Sequence, residues 1–359
     1  MKLELSSQKL RAVSVNLVDM GDSVIIKRGR IQIKVAGEEA AKILGMILGA
    51  ARNGITREQI IEMFGPPERP GVEALVDFLI GRRILTQGDE SEHAAAAGES
   101  ELEIFYWHFG TQTKEVRRQL NSTRIQIFGI NHISRRLVAG LRASGADGFE
   151  VVDVPLLRNE AWFDTGGELK EDVWQGAPPK LRRHSGDVDP ESLDCLVATS
   201  DSGSIEELRS WNEFCVLHRL RFFPILLQDL VGYVGPMVQP GDTACFECLR
   251  SRQNAHLVDY RSRRAVESAF IQEQAVGGFH PSMASILGDI AALELLKHFG
   301  LSSGLARTGT VIEVNLLGTE MKARRVLRLP RCSVCSRLNR VPSTTFTKMQ
   351  LLGPGEGAE

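Results

Sequence analysis

The sequence has no long apolar run, no excess of basic residues and no export signal. Without about 18 consecutive apolar residues, no segment is long enough to span a membrane as a helix. The 43 lysine and arginine residues do not outnumber the 45 aspartate and glutamate residues, which argues against a general nucleic-acid binder. The first residues, Met1 to Ser6, show no apolar signal-peptide core. We therefore expect a cytoplasmic protein that binds neither nucleic acid nor a membrane.

Cysteine is scarce, and no Ser/His/Asp arrangement or internal repeat is present. Six cysteines in 359 residues without an export signal are typical of thiols in a reducing compartment. Cys195 lies within an apolar strand pattern and Cys215 on an amphipathic helix pattern. Neither has the basic or helix-start environment that activates a thiol. We predict no catalytic residue in this chain.

Four of the six cysteines form two CxxC pairs, Cys245 with Cys248 and Cys332 with Cys335. Two thiols about one helical turn apart can bind the same ion, and four thiolates satisfy tetrahedral Zn²⁺ with no position left for water. The pattern predicts a structural zinc site that ties a late loop to the C-terminal end of a large domain. Two redox dithiols are the alternative.

Pattern and composition divide the chain into two domains. Residues 1–87 show strand patterns followed by three helical segments, which predicts a small α+β, winged-helix-like domain. Residues 88–100 are polar and acidic, as in a linker. Residues 101–340 alternate strand and helix patterns, which predicts an α/β domain with a parallel sheet, and residues 341–359 a mobile tail. In the α/β domain, a predicted helix over residues 282–299 carries an apolar stripe of Ile286, Ile290, Leu293 and Leu296.

A glycine turn follows the first strand of the predicted α/β domain. Dinucleotide folds carry G-x-G-x-x-G here, because the glycines allow a phosphate to approach the backbone. Only Gly129 remains, since Asn131 and Ser134 occupy the other two positions. Asp153 could contact a ribose and Asp201 could hold Mg²⁺, although a strand-end turn and a helix N-cap are the simpler explanations. We predict a degenerate nucleotide turn, with no ATP bound on this chain.

The order of these features over residues 124–335 resembles the ThiF/MoeB-like adenylating fold. The most specific features of the resemblance are the paired CxxC motifs and the segment that leads to the first of them, Val231-Gly232-Tyr233-Val234-Gly235-Pro236. With a PqqD-like unit at residues 1–87, a peptide-recognition element, the whole chain resembles the ThiF-like (ocin-ThiF-like) partner proteins of YcaO azoline-forming cyclodehydratases. These proteins belong to thiazole/oxazole-modified microcin pathways. The implied fold is a Rossmann-type parallel sheet domain with structural zinc, preceded by the PqqD-like domain.

The resemblance implies a scaffold that has no enzymatic activity by itself. Proteins of this family bind the leader of a ribosomally made precursor peptide and deliver its core to a YcaO protein. That partner uses ATP to cyclise Cys, Ser or Thr onto the preceding carbonyl. Family members also tend to form homodimers. The alternative is an active ATP-dependent adenylyltransferase that modifies a peptide or carrier-protein carboxylate.

A small sheet with a free edge can accept a peptide as an added strand, with main-chain hydrogen bonds for affinity and side-chain pockets for specificity. If residues 31–35 form that edge, the peptide would lie between this strand and the third helix. Lys34 would suit an acidic leader. Core packing is the alternative for each apolar candidate. The predicted peptide-binding residues are Ile31, Ile33, Lys34, Val35, Val72, Val76 and Leu79.

Overall fold

The computed structural model describes residues 8–87, 100–171, 173–174, 181–183, 188–269, 278–301, 304–336 and 338. Residues 88–99 of the predicted linker and the whole predicted tail lie outside the described residues. The chain divides into two compact units, residues 1–110 and residues 111–359. No helix of the described ranges is long and apolar enough to cross a membrane.

The first unit combines two small antiparallel sheets with short helices. Its sheets have the strand orders β5-β1-β6 and β2-β3-β4. Its elements are β1 Lys9–Ala12, β2 Asn16–Asp19, β3 Ser23–Arg28, β4 Ile31–Ala36, α1 Ala40–Ala51, β5 Ile55–Thr56, α2 Arg57–Glu62, α3 Arg69–Gly81, β6 Leu85–Gln87 and α4 Glu101–Trp107. The predicted α+β composition is therefore present, with β4 at one edge of its sheet.

Helix α4 belongs to the first unit, whereas the sequence assigned residues from 101 onward to the second domain. Trp107 packs against the core of the first unit, and its indole N–H donates to the Arg83 carbonyl at 2.9 Å. The Arg28 guanidinium lies 4.8 Å from the centre of the Trp107 ring. An aromatic helix pattern indicates burial but not which core buries it, so the sequence alone could not assign α4.

The second unit is α/β, and it is built on one eight-stranded sheet. The strand order is β14-β13-β12-β11-β10-β7-β8-β9. Its elements are α5 Thr113–Ser122, β7 Ile125–Phe128, α6 His132–Ala143, β8 Phe149–Asp153, β9 Leu181–Arg183, β10 Cys195–Ser200, α7 Ile205–Leu217, β11 Arg221–Gln228, β12 Val231–Val234, α8 Phe246–Asn254, α9 Tyr260–Ala269, α10 Pro281–Leu295, β13 Thr310–Asn315 and β14 Glu320–Arg325.

This sheet is mixed, not parallel throughout as predicted. Strands β9, β8, β7, β10 and β11 are parallel neighbours, but β12, β13 and β14 each pair antiparallel with the strand before them. Asp229 and Leu230, both with positive φ, form the two-residue turn from β11 to β12. Such a short connection permits only antiparallel pairing. The central strands β7 and β10 are buried along their whole length, as parallel strands covered on both faces should be.

The apolar stripe predicted on α10 does not form its core face. Leu296, in the π-helical turn that follows α10, is buried, but Ile286 and Leu293 are 37% and 51% exposed. The face of α10 that packs inward is instead mostly small: Met283, Ala284, Leu287, Gly288, Ala291, Ala292 and Leu295. The reason is the close approach of α6, where a Cβ on Gly140 would come within 2.6 Å of the Ala292 Cβ. Small residues add little to hydrophobic periodicity, so the larger outward residues dominated the pattern.

Candidate metal centre, nucleotide turn and peptide edge

The two CxxC pairs come together at one point. The Sγ atom of Cys245 lies 3.9 Å from that of Cys248 and 3.6 Å from that of Cys332, and the Sγ atoms of Cys248 and Cys335 are 3.5 Å apart. All four sulfurs lie within 4.8 Å of one another. A Zn–S bond of about 2.3 Å in a tetrahedron places its ligand sulfurs about 3.8 Å apart. The quartet is therefore close enough to bind one metal ion and is compatible with structural zinc.

Local structure holds the two pairs in place. Cys245 is the N-cap of α8 and Cys248 lies in its first turn, where the positive end of the helix dipole favours thiolates. The Leu329 N–H points at the Cys248 Sγ at 3.4 Å. Arg328 donates to the carbonyls of Gly241 and Cys335, at 2.7 and 3.5 Å, and so joins the loops that carry the two pairs. With four cysteine ligands a bound ion would have no open position, so it would act as a cross-link between α8 and the segment after β14.

The other two cysteines are core residues. Cys195 on β10 and Cys215 on α7 are fully buried. Burial raises the pKa of Cys195 to about 12 and raises that of Cys215 well above its ordinary value. Thiols held in this neutral state are poor nucleophiles. That neither is catalytic stays a prediction.

The glycine turn after β7 is closed by its own side chains. Gly129 has φ +102°, and a Cβ there would meet the Thr199 carbonyl at 2.5 Å, so only glycine fits. Asn131 is completely buried, and its amide nitrogen donates to the carbonyls of Leu157 and Thr199, both at 3.0 Å. Its amide oxygen accepts the backbone N–H groups of residues 133 and 134, also at 3.0 Å. Asn131 is thus both the N-cap of α6 and a bridge between the segment after β8 and the end of β10.

Asp201 accepts the remaining backbone N–H at the start of α6, that of His132. Its Oδ2 accepts the His132 N–H at 3.1 Å and the Asn159 side-chain amide at 2.9 Å. Burial raises the pKa of Asp201, against the effect of these hydrogen bonds. Burial, aided by Arg135, lowers the pKa of His132 to about 4, so its ring is neutral at pH 7. The site therefore offers a phosphate neither a free first-turn N–H of α6 nor a histidine cation.

Asp153, the acid at the end of β8, is also paired with a neighbouring side chain. Asp153 forms a two-point ion pair with Arg158, with N–O distances of 2.6 and 2.5 Å. The Arg158 guanidinium in turn lies 4.2 Å from the centre of the Phe163 ring. We predicted Asp153 as a possible ribose ligand, whereas Arg158 and Asn159 were not predicted. Their only signal was that they follow the end of β8, at the edge where the loops of a parallel sheet meet.

We expect Asn131→Ala to lower the free energy of unfolding by about 2–4 kcal/mol. The change leaves two buried carbonyls and two helix N–H groups without this partner, and each unsatisfied group costs about 1 kcal/mol or more. Urea unfolding of the second unit measures the loss. Asn131→Asp keeps the cap but sets a carboxylate oxygen against the two buried carbonyls, so it should also destabilise the unit. A loss below about 0.5 kcal/mol for Asn131→Ala would contradict the bridging role.

The edge strand β4 has three N–H groups that point away from its sheet. The Gly37 N–H donates to the Asp22 carbonyl and the Met20 N–H to the Ser23 carbonyl, both at 2.8 Å. These two bonds show that the even-numbered residues of β3 bond to β4 and the odd-numbered ones to β2. With Arg28 opposite Ile31 across the two-residue turn, the odd-numbered residues of β4 bond to β3. The N–H groups of Gln32, Lys34 and Ala36 therefore face outward. This geometry suits an added strand.

The predicted peptide-contact residues are split between core and surface. Four of them are buried in the core of the first unit: Ile33, Val72, Val76 and Leu79. Ile31 and Val35 are half-buried against the same core, and Lys34 is exposed. The apolar candidates were chosen by periodicity, which marks the core face of a strand or helix first. On α3 the exposed apolar residue is Phe78, with the Arg82 guanidinium 5.4 Å from its ring centre.

Comparison with known proteins places this geometry in a known fold. No protein-family model matches the sequence, and no curated protein matches it. The heterocyclase TruD superposes with a TM-score of 0.60 at 18% identity, over 92% of this chain and 43% of that chain. E. coli MccB, in a complex with AMPCPP and MccA, gives 0.63 at 14% identity, over 91% of this chain and 99% of MccB. The microcin C7 biosynthetic enzyme MccB with N-formylated MccA gives 0.64 at 15% identity, over 91% and 100%.

The chain thus spans less than half of TruD and nearly all of MccB. At these identities the likeness concerns the fold alone. The described residues therefore share the α/β fold of MccB and of one part of the heterocyclase TruD.

Proposed function

We propose that this chain binds the leader of a ribosomally synthesised precursor peptide and presents it to a separate YcaO cyclodehydratase. That partner would form thiazoline or oxazoline rings with ATP, and this chain would act as a scaffold and activator subunit. The first unit would serve as the PqqD-like recognition element, and the second as a zinc-braced, ThiF-like platform.

The observation that carries the proposal is the closed nucleotide turn. Every N–H at the start of α6 that a phosphate would need is accepted by Asn131 or Asp201, and Asp153 is held by Arg158. A protein of this fold that used ATP itself would be expected to keep those groups free. This arrangement supports a division of labour in which the nucleotide chemistry belongs to another chain.

The free edge of β4 supports the peptide-binding half of the proposal. Its outward N–H groups at Gln32 and Lys34 can pair with an extended peptide, and the exposed Lys34 ammonium suits an acidic leader. The half-buried Ile31 and Val35 would then lie beside the peptide's alternate side chains. Phe78 and Arg82 on α3 offer a further apolar and cationic surface.

The comparisons support the same pathway class. TruD is described as a heterocyclase, and this chain matches less than half of it. We infer that the unmatched part corresponds to a partner that this chain would meet as a separate protein. The full-length match to MccB, which binds AMPCPP and MccA, favours the second candidate, an active adenylyltransferase acting on a peptide or carrier-protein carboxylate.

One pair of measurements separates the two candidates. The neighbouring reading frames are first searched for a short Cys/Ser/Thr-rich peptide, and the leader of that peptide is the probe, titrated into the full chain by calorimetry. We expect micromolar or tighter binding together with no ATP–pyrophosphate exchange, with or without the peptide. Pyrophosphate exchange above background would establish the adenylyltransferase. Absence of leader binding by the zinc-loaded chain would refute the scaffold.

A further inference from the structure

Helix α4 supports the start of the strand that is proposed to bind the leader. The turn from β3 to β4 lies on the last turn of α4, where a Cβ on Gly29, which has φ +51°, would overlap the His108 Nε2 and come within 3.2 Å of the Ile104 Cγ2. The Arg30 N–H donates to the same Nε2 in a long hydrogen bond of 3.4 Å. Ile31, the next residue, begins β4. Only glycine at position 29 lets the turn approach α4 this closely.

The same end of α4 also holds the end of α3. The Trp107 indole N–H donates at 2.9 Å to the carbonyl of Arg83, which lies just beyond Gly81, the last residue of α3. The Arg83 side chain lies against Gly110, where a Cβ would overlap its guanidinium. Arg28, the last residue of β3, is buried and places its guanidinium 4.8 Å from the centre of the Trp107 ring. The segment of residues 104–110 therefore fixes the start of β4 relative to the end of α3.

The contact between His108 and the turn requires a neutral imidazole. Its Nε2 accepts the Arg30 N–H and so carries no proton, and its Nδ1 is buried without a hydrogen-bond partner among the described residues. The charged groups that face the ring are Arg30 and Arg28 of the turn, with Arg83 of α3 beside the neighbouring Trp107. Burial, aided by Arg30 and Arg28, lowers the pKa of His108. A further proton would remove the acceptor and add a third cation to the contact.

We propose that α4 is a positioning element for the leader, in which Trp107 and His108 keep β4 and α3 at the spacing that the peptide requires. This inference rests on the proposed leader binding at β4. A peptide that pairs with β4 through its main chain also places side chains toward α3, so its affinity depends on how firmly the two elements are held before it arrives. The peptide-recognition element would then include α4 and would not end at residue 87.

Calorimetric titration of the full, zinc-loaded chain with the same leader tests the role of Trp107. Trp107→Ala removes the bond to Arg83, and it should raise the dissociation constant of the leader about tenfold or more, because fewer molecules hold the two elements in place. The matched control is Phe105→Ala, since Phe105 is also a half-buried aromatic residue of α4 but its ring contacts are with Tyr106 and Phe109. That change should alter the dissociation constant less than about twofold. Circular dichroism checks that both variants fold.

The pH profile of leader binding tests the role of His108. Protonation below about pH 6.5, the ordinary pKa of histidine, opposes the contact that His108 makes with the turn. Wild-type affinity for the leader should therefore fall severalfold from about pH 7.5 to about pH 5.5, and by at most about tenfold. His108→Gln offers the Arg30 N–H an acceptor that does not titrate. This variant should bind the leader as the wild type does at the higher pH and should lose the pH dependence.

Two results would overturn the inference while leaving the proposed function in place. One is a wild-type chain that binds the leader together with a Trp107→Ala variant that binds it equally well. The other is a His108→Gln variant that keeps the pH dependence of the wild type. A wild-type chain that binds no leader at the higher pH would instead refute the proposed function, and the role of α4 with it.

Discussion

Replacing Cys248 by serine is expected to remove the bound metal and to lower the melting temperature of the second unit by about 10–20 °C. The wild-type chain should carry one zinc ion per chain, measured by mass spectrometry of the metal, and the variant close to none. Calorimetry of the full chain would follow the transition of residues 111–359. For a unit of this size a loss of about 4–5 kcal/mol corresponds to a shift in this range.

The size of this effect follows from where the sulfurs lie. Cys245, Cys248 and Cys332 are buried within the main core cluster of the second unit, together with Phe222, Phe246 and Val311. The ion would join α8 to the segment after β14, two parts of the chain that are distant in sequence. Structural zinc contributes its binding free energy directly to folding, with apparent values of roughly 10–16 kcal/mol in small zinc domains. At a free zinc concentration about a thousandfold above the dissociation constant, only about 4 kcal/mol of this stabilises the fold, and losing one of four thiolates removes most of it.

Cys215→Ala provides the matched control. Cys215 is an equally buried thiol of the same core cluster but lies outside the quartet. Its loss should cost only about 1–2 kcal/mol, because a small side chain leaves a small cavity, and the zinc content should not change. If the wild-type chain holds no zinc and its four thiols titrate fully without a chelator, the quartet is a redox site. Equal destabilisation by both substitutions would also count against the metal.

The sequence revealed the sulfur quartet because its chemistry is local. Each CxxC pair is a short motif whose spacing places two ligands on one turn, and a single tetrahedral metal site would use both pairs. The closed turn was visible for a similar reason, since the missing glycines are a property of six consecutive residues. How Asn131 closes the turn was not visible. Its partners Leu157 and Thr199 come from two segments, distant in sequence, that only the folded sheet brings together.

Periodicity was a less reliable guide where two apolar faces compete. On α10 more than half of the core face is alanine and glycine because α6 approaches closely, and Ile286 and Leu293 of the stripe point outward. On β4 and α3 the periodic apolar residues lie mainly in the core. Fewer of them are therefore at the surface to contact a peptide than the sequence pattern suggested. In both cases the pattern identified the apolar residues of one face. Whether that face contacts the core or solvent depends on tertiary packing, which the pattern does not contain.

Proline at the outward positions of β4 is expected to weaken leader binding about a hundredfold or more. The double variant Gln32→Pro with Lys34→Pro removes two N–H groups that face away from β3 and places two rings where an added strand would lie. Each lost main-chain hydrogen bond costs about 0.5–1.5 kcal/mol, and every 1.4 kcal/mol is tenfold in affinity. Steric exclusion of the strand by the rings adds to that loss. Calorimetric titration of the full chain with the leader measures the dissociation constant.

The fold should tolerate this change, because proline is accepted on an edge strand when its missing N–H faced solvent. The bonds from β4 to β3 come from Ile31, Ile33 and Val35, whose N–H groups remain. Lys34→Ala separates the charge of Lys34 from its backbone donor, and it should weaken binding only slightly, since an exposed ion pair is worth at most about 1 kcal/mol.

The opposite edge of the same sheet supplies the decisive comparison. On β2, Leu17 lies opposite Ile26, a residue of β3 that bonds to β4, so the Leu17 N–H also faces away from the sheet. Leu17→Pro therefore removes one outward N–H, of the two that the double variant removes, at an edge that the proposal leaves empty. If Leu17→Pro weakens leader binding as much as the double variant does, the peptide does not bind specifically at β4. If neither variant weakens it, main-chain pairing is not the mode of binding, and the exposed Phe78 and Arg82 of α3 would have to hold the leader through side chains alone.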